Sequence, residues 1–389
     1  METHVTNDDG LSRKTSLREL AAFFLRLGTT AFGGPAAHIA IMEDELVRRR
    51  RWLSREEFLD LLGASNLIPG PSSSELAIHI GYLRAGWFGL VDAGSCFILP
   101  AAAIVAALAW LYVHFGRLAA ASAMLYATKP VVIAVVLQAL WGLGKTAVKT
   151  TFLGLVGVCA LVAAFLGLHP LVLLLFTGLS ATLIAFRGSK LTASGMPVSF
   201  VGLGGAGASL ASFSLGSLFL VFLKIGAVVF GSGYVLLAFL RADLVVHRGW
   251  LTDAQLIDAV AVGQLTPGPV FTTATFVGYL LGGLPGSVVA TVGIFLPAFL
   301  LVAASGPLIP RIRRSKIAGA FLDGVNVGSL ALMAYVSWQL GRASLVDWIT
   351  VGLAMVSAVA LFRWRVNSAW LILGGALVGI AVYLMHRGV

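Results

Sequence analysis

Charge is scarce in this chain. Of its 389 residues only 11% are Asp, Glu, Lys or Arg and 58% are hydrophobic, a balance outside the range of water-soluble globular domains. Cysteine is scarcer. Cys96 and Cys159 each lie alone in an apolar run, which excludes a disulfide framework and a cysteine-built metal site and leaves both as packing residues. Polar and apolar residues do not alternate, so the pattern of a transmembrane β-barrel is missing. The first residues are polar, with Arg13, Lys14 and Arg18, and no small-residue cleavage site follows a short apolar core. They read as a retained cytoplasmic tail, not a signal peptide. Gly144-Lys145-Thr146 imitates the end of a phosphate-binding loop, but Ala139 stands where its first glycine belongs. ATP drive would therefore need another subunit. No zinc-protease helix, dinucleotide fingerprint or nucleophile elbow is present, so neither a cofactor nor a metal is expected.

What the chain has in abundance is hydrophobic length. Its mean hydropathy is +0.94. Apolar stretches of spanning length recur at Trp87–Val113, Pro130–Gly144, Phe152–Leu168, Pro170–Phe186, Ser217–Leu240, Ser287–Leu308, Ala318–Leu340, Trp348–Phe362 and Ala369–Met385. The fold class expected is an all-α polytopic membrane protein. The net charge of +10 comes from basic residues in short loops between spans. That is the positive-inside bias of membrane proteins, so the bilayer and not nucleic acid is the expected partner.

Self-comparison is the most informative step. Sliding the chain by 198 residues lays Phe23–Pro71 on Val221–Pro269 without a gap, with sixteen of forty-nine positions identical. Trp52-Leu53-Ser54 meets Trp250-Leu251-Thr252, Asp60 meets Asp258, and Pro69-Gly70-Pro71 meets Pro267-Gly268-Pro269. One deletion later the register continues at 197, with Gly86 on Gly283 and Pro100 on Pro297. The organisation expected is a polar tail at 1–19, a first repeat at 20–190, a Gly/Ser-rich linker at 191–214 and a second repeat at 215–389. Equivalent loops alternate in which half is the more basic. Arg48 to Arg51 and Arg55 outweigh His247 and Arg248, then Arg311, Arg313, Arg314 and Lys316 outweigh Arg117, then Lys145 and Lys149 outweigh Arg342. Alternation of this kind predicts halves of opposite orientation. About ten spans are expected, together with broken or re-entrant helices. Arg187 and Lys190 resist this pattern, because they too look cytoplasmic.

Two apolar segments per half are broken. They break at Phe32-Gly33-Gly34-Pro35 and Pro69-Gly70-Pro71, and again at Phe230-Gly231-Ser232-Gly233 and Pro267-Gly268-Pro269. Proline removes a helix donor and glycine admits close backbone approach. Backbone freed in this way is tolerated at membrane depth only beside protein or a wet cavity. The helix that restarts there aims N–H groups and its positive end at the cavity, with hydroxyls from Ser72, Ser73 and Ser74 or from Thr272, Thr273 and Thr275. Those donors suit an oxyanion, and Asn66 and Gln264 share one repeat position beside them. A plain kinked helix is the simpler alternative. Arg26 and Lys224 also share a position and could compensate a dianion, or snorkel to the interface. Lys129, opposite Asn326, is a weaker candidate of that kind. Glu75, His79 and Asp92 face uncharged repeat partners and are the candidates for proton coupling. Asp60 and Asp258 read as helix starts at the interface, and His38 as a packed imidazole.

These motifs resemble the chromate ion transporter family in its two-domain, long-chain form. The resemblance rests on Phe32-Gly33-Gly34-Pro35, Arg51-Trp52-Leu53-Ser54, Asn66 through Pro71, and Glu75 through Tyr82. Weaker partners follow at Phe230 to Gly233 and at Gln264 through Pro269. It implies export of chromate across the bacterial inner membrane, resistance to chromate, a link to the isosteric sulfate dianion, and drive from the membrane potential or proton gradient. The expected function is therefore a secondary oxyanion transporter and not an enzyme. The alternatives are an importer or channel for sulfate or another anion, and a membrane enzyme acting on an anionic headgroup. The oligomeric state stays open, with a homodimer among the options.

Overall fold

The computed structural model describes residues 15–32, 34–115, 119–187, 213–229, 235–305, 316–364 and 366–387. Gly33, Gly231, Ser232, Gly233 and the expected linker up to residue 212 lie outside the described residues. All regular structure among the described residues is helical. In the first half the helices are α1 (Leu17–Thr30), α2 (Gly34–Met42, continued by a π-helical turn at Glu43–Arg49), α3 (Arg55–Ser65), α4 (Ser72–Phe115), α5 (Ala119–Ala147), α6 (Thr151–Phe165) and α7 (Pro170–Arg187). The second half runs through α8 (Leu215–Val228), α9 (Leu236–Leu240, continued at Arg241–His247), α10 (Asp253–Leu265), α11 (Thr273–Ser305, after a short turn at Val270–Thr272), α12 (Lys316–Ser344), α13 (Trp348–Arg363) and α14 (Ser368–Arg387). The two series match element for element. Even the caps correspond: Ser16 and Ser214 close capping boxes on α1 and α8, and Ser54 and Thr252 on α3 and α10.

Five helices among the described residues are long and apolar enough to cross a membrane, with four shorter apolar helices beside them. Two of the five are not single rods. In α4 the backbone leaves helical geometry at Ala85 and Gly86, and in α11 at Gly282 and Gly283, each second glycine having φ above +60°. The chain folds back on itself there. A Cβ on Gly81 would lie 2.1 Å from the Gly89 carbonyl oxygen, and one on Gly278 would lie 2.3 Å from that of Gly286. Residues eight apart in a continuous helix are about 12 Å apart, so each hairpin has a short limb (72–84, 273–281) packed antiparallel on a long one. Arg84 ties the first tip down, donating to the Thr15 hydroxyl (2.8 Å) and the Trp52 carbonyl (2.7 Å).

Contacts at both ends fix the relative direction of the halves. Tyr126, near the start of α5, donates to Asp347 just beyond the end of α12. Lys149, just beyond the end of α5, meets Asp323 near the start of α12 at 2.7 Å. Thus α5 and its repeat equivalent α12 run antiparallel, as the loop charges predict. The halves are also interleaved, with α6 and α7 packing on α12 while α13 and α14 pack on α5. Glycines permit the close approach, since Gly324 abuts the Thr177 carbonyl and Gly379 that of Ala123.

Candidate functional site

The broken helices meet across the two halves. Chain α1 stops at Ala31 and α8 at Val229. The freed carbonyl of Ala31 accepts the N–H of Gly268 (2.9 Å), and that of Val229 accepts the N–H of Gly70 (2.7 Å). Each Pro-Gly-Pro loop therefore completes the half-helix of the other repeat, which is how backbone broken at membrane depth stays hydrogen-bonded. Both glycines have positive φ, +143° at Gly70 and +88° at Gly268. A Cβ on Gly268 would meet Ala101 at 2.6 Å, and one on Gly70 would meet Ala298 at 3.6 Å, so the surroundings repeat as well. Pro69, Pro71, Pro267 and Pro269 bracket these crossing points.

The side chains beside the crossing are not symmetric. Behind Pro71 the first-half helix carries Ser73, Ser74, Glu75 and, one turn on, His79, all buried. Both carboxyl oxygens of Glu75, the Ser74 hydroxyl and His79 Nε2 have no hydrogen-bond partner among the described residues. The Glu75 carboxyl curls back over its own loop, so that a Cβ on Gly70 would lie 2.1 Å from Oε1. Fully buried His38 joins α2 to this centre, with Nε2 3.1 Å from the Ala31 carbonyl and Nδ1 3.5 Å from the Ser73 hydroxyl. At the second-half positions stand Leu236, Thr272 and Phe276 in place of His38, Glu75 and His79. Thr272 and Thr273 spend their hydroxyl protons on the carbonyls of Pro269 (2.7 Å) and Val270 (2.8 Å), as residues in a first helical turn readily do. The Gln264 amide nitrogen is buried without a partner.

The first-half segment opens onto space. A cavity of about 1030 Å³ is lined by Pro35, Asn66 and Ser72 on one wall, residues of α5 from Gln138 to Ala147 with Lys149 just beyond it on a second, and Gly319 to Leu330 of α12 on a third. Gly34, which starts α2 at φ +74°, precedes Pro35 at its edge.

Other expected site residues lie elsewhere. Arg26 is exposed and lines a separate groove of about 420 Å³ with Asp44, Glu45 and Arg49. Lys224 is held by Asp243 at 2.6 Å. Asp243 is the repeat partner of Glu45, so each cation sits beside an acid from the segment after the first break, and neither lines the large cavity. Asp92 is half-buried on the long limb of α4, one oxygen accepting a long contact from the Cys96 thiol and the other unpartnered. Asp258 is not an interfacial helix start. It is 3% exposed, accepts from Tyr112 (2.9 Å) and pairs with Lys129 at 3.4 Å, which joins the halves. Its place among Leu256, Ile257, Ala259 and Val260 was the signal, because an acid inside an apolar helix needs a partner. Lys145 and Lys149, read as topology markers, turn out to line the cavity. No group of three metal-ligating side chains occurs among the described residues.

The family model described as Chromate transporter matches residues 18–183 and 216–380, one match per half. A chromate transport protein of Cupriavidus metallidurans is 33% identical over 380 residues, covering 96% of this chain and 95% of that protein. A chromate transport protein of Pseudomonas aeruginosa is 33% identical over 389 residues, covering 95% and 93%. An uncharacterised transporter of Methanocaldococcus jannaschii is 27% identical over 380 residues, covering 92% of each. No solved structure matches the chain.

Proposed function

The chain belongs to the chromate transporter family, and from that premise we propose that it exports chromate across the bacterial inner membrane by alternating access. The observation that carries this reading is the pair of reciprocal Pro-Gly-Pro crossings, one of which is flanked by Pro35, Asn66 and Ser72 in the wall of a large cavity. A helix start rich in hydroxyl groups presents donors to a tetrahedral dianion without committing a fixed countercharge. Binding is assigned to Gly34, Pro35, Asn66, Pro69, Gly70, Pro71 and Ser72, Ser73 and Ser74 in this state. Pro267, Gly268, Pro269, Gln264, Thr272 and Thr273 take the equivalent place when the inverted half opens to the other side. Lys145 and Lys149 line the cavity, and under the positive-inside bias this supports a cytoplasmic opening that loads substrate for export. Glu75, buried and unpartnered beside Gly70, is the proton-exchanging group. Arg26 and Lys224 act outside the binding cavity.

The test is flux of labelled chromate in proteoliposomes with pH and voltage imposed separately. Movement of chromate out of the compartment that matches the cytoplasm, accelerated by a proton gradient and inhibited by sulfate, is the expected result. Flux of sulfate with no chromate flux would replace this reading with that of a sulfate carrier. Chemical change of a substrate without transport would replace it with that of an enzyme.

A further inference from the structure

The cavity holds a charge arrangement that the crossing alone does not explain. On α5, Gln138, Trp141 and Lys145 recur three and four residues apart and form one stripe along the cavity wall, which Lys149 extends just beyond the helix end. On antiparallel α12, Asp323, Asn326 and Ser329, each three residues apart, form a second stripe along the cavity. Lys145 is 4.9 Å from the centre of the Trp141 ring, and among the described residues no carboxylate lies within ion-pair distance of it. Lys149 is held by Asp323 at 2.7 Å. Ser329 is buried, and its hydroxyl has no partner. The cavity wall thus carries two cations and one anion.

We propose that this wall is a dianion-binding site in which Asp323 is the resident countercharge that substrate displaces from Lys149, so that Asp323 sets a threshold that a dianion held by both lysines clears and a monoanion does not. The proposal rests on the transport reading above and names the charge that serves it. A dianion seated between Lys145 and Lys149 replaces the single charge of Asp323 with two, a net gain. A monoanion of the same shape exchanges one charge for one and gains nothing. The exchange is easy because the pair is open to the cavity, with Lys149 59% and Asp323 30% exposed, and ion pairs in water-filled surroundings are weak. Asn326 and Ser329 of the same stripe offer neutral donors to the oxygens turned away from the lysines.

The experiment is a binding titration of purified full-length protein in lipid nanodiscs at mildly alkaline pH, where chromate is a dianion. Chromate and sulfate are compared with perchlorate, a tetrahedral monoanion. Wild type should prefer both dianions to perchlorate. Asp323→Asn should tighten perchlorate and both dianions by a similar factor of about tenfold, the worth of one charge-assisted contact, because the displaced pair is a cost common to every anion. Lys149→Gln should weaken both dianions by a similar factor, while Lys149→Arg retains them. Asp323→Glu, which keeps the charge, should behave as wild type and guards against a folding artefact. Unchanged perchlorate and dianion affinities in Asp323→Asn would overturn the proposal, as would absence of dianion binding in wild type. Binding of sulfate with the expected charge preference, without chromate flux in proteoliposomes, would instead keep the site and overturn the export reading.

Discussion

The two halves share a backbone and differ in what they bury at the break. In the first half the short limb of α4 begins with Ser72 to Ser74 and carries Glu75 and His79, with His38 across from them. In the second half Thr272, Phe276 and Leu236 fill the same places, and the threonines bond to their own helix. Backbone geometry is thus repeated where the chain must cross itself, and among the described residues the buried glutamate and histidine that follow the Pro-Gly-Pro break occur in the first half.

The sharpest way to break that comparison is to exchange functional weight between equivalent positions. Glu75→Gln should remove nearly all acceleration of chromate flux by an imposed pH gradient, because the amide cannot exchange a proton. Thr272→Val, at the matching position, should leave that acceleration intact. Parallel proteoliposome assays of the two variants decide it. Equal loss in both would mean that the break matters as a structure and not as an acid.

Next in size is the ion pair between the halves. Replacing Lys129 with Met leaves Asp258 buried with only the Tyr112 hydroxyl for company, and breaking a buried pair costs about 3–5 kcal/mol. Asp60, the repeat partner of Asp258, is exposed on α3, so Asp60→Asn should cost under about 1 kcal/mol. Thermal unfolding in detergent of the two variants measures the difference. A mild Lys129→Met variant would show that water reaches Asp258.

How much of this could be read from the chain depended on whether a feature is local. The repeat, the four breaks and the opposed orientation rest on Pro-Gly-Pro, Trp-Leu-Ser/Thr and counts of arginine in loops, all of which are properties of short segments. Even the hairpin left a trace, because the apolar run expected to span begins at Trp87, one residue past the turn at Gly86. What escaped depends on partners far apart in sequence. Lys224 reads as a buried cation until Asp243 arrives from the next helix. Lys145 and Lys149 read as loop charges until α12 packs opposite them. Repeat symmetry favoured Arg26 and Lys224, whereas the cations that line the large cavity are Lys145 and Lys149.

A smaller effect separates Arg51 from Gly249. Both occupy the left-handed region, φ +52° and +62°, at equivalent positions before the paired tryptophans. Only the second is glycine, so the first half carries backbone strain that the second avoids. Arg51→Gly should stabilise the protein by about 0.5–1 kcal/mol, offset in part by the greater freedom of glycine in the unfolded chain. Gly249→Ala should destabilise it by a similar amount. A rise in Tm for the first and a fall for the second would confirm that strain and not charge governs the site.

The smallest contrast lies at the caps of α6 and α13. Thr150 caps α6, and Asp347 stands at the equivalent place before α13, accepting from the Thr350 N–H at 2.8 Å and from the Tyr126 hydroxyl. Those donors hold the Asp347 carboxyl below its ordinary value of 3.8. A depressed carboxyl stabilises the fold fully above its unfolded value, and the gain is lost as pH falls through the folded one. Asp347→Thr makes the two caps alike and removes a titrating group. Wild type should therefore be the more heat-stable above the ordinary value, and the gap should close as the solution is acidified below it. A gap that stays constant across that window would mean that Asp347 acts through shape alone, like Thr150, and that the charge difference between the two caps has no energetic role.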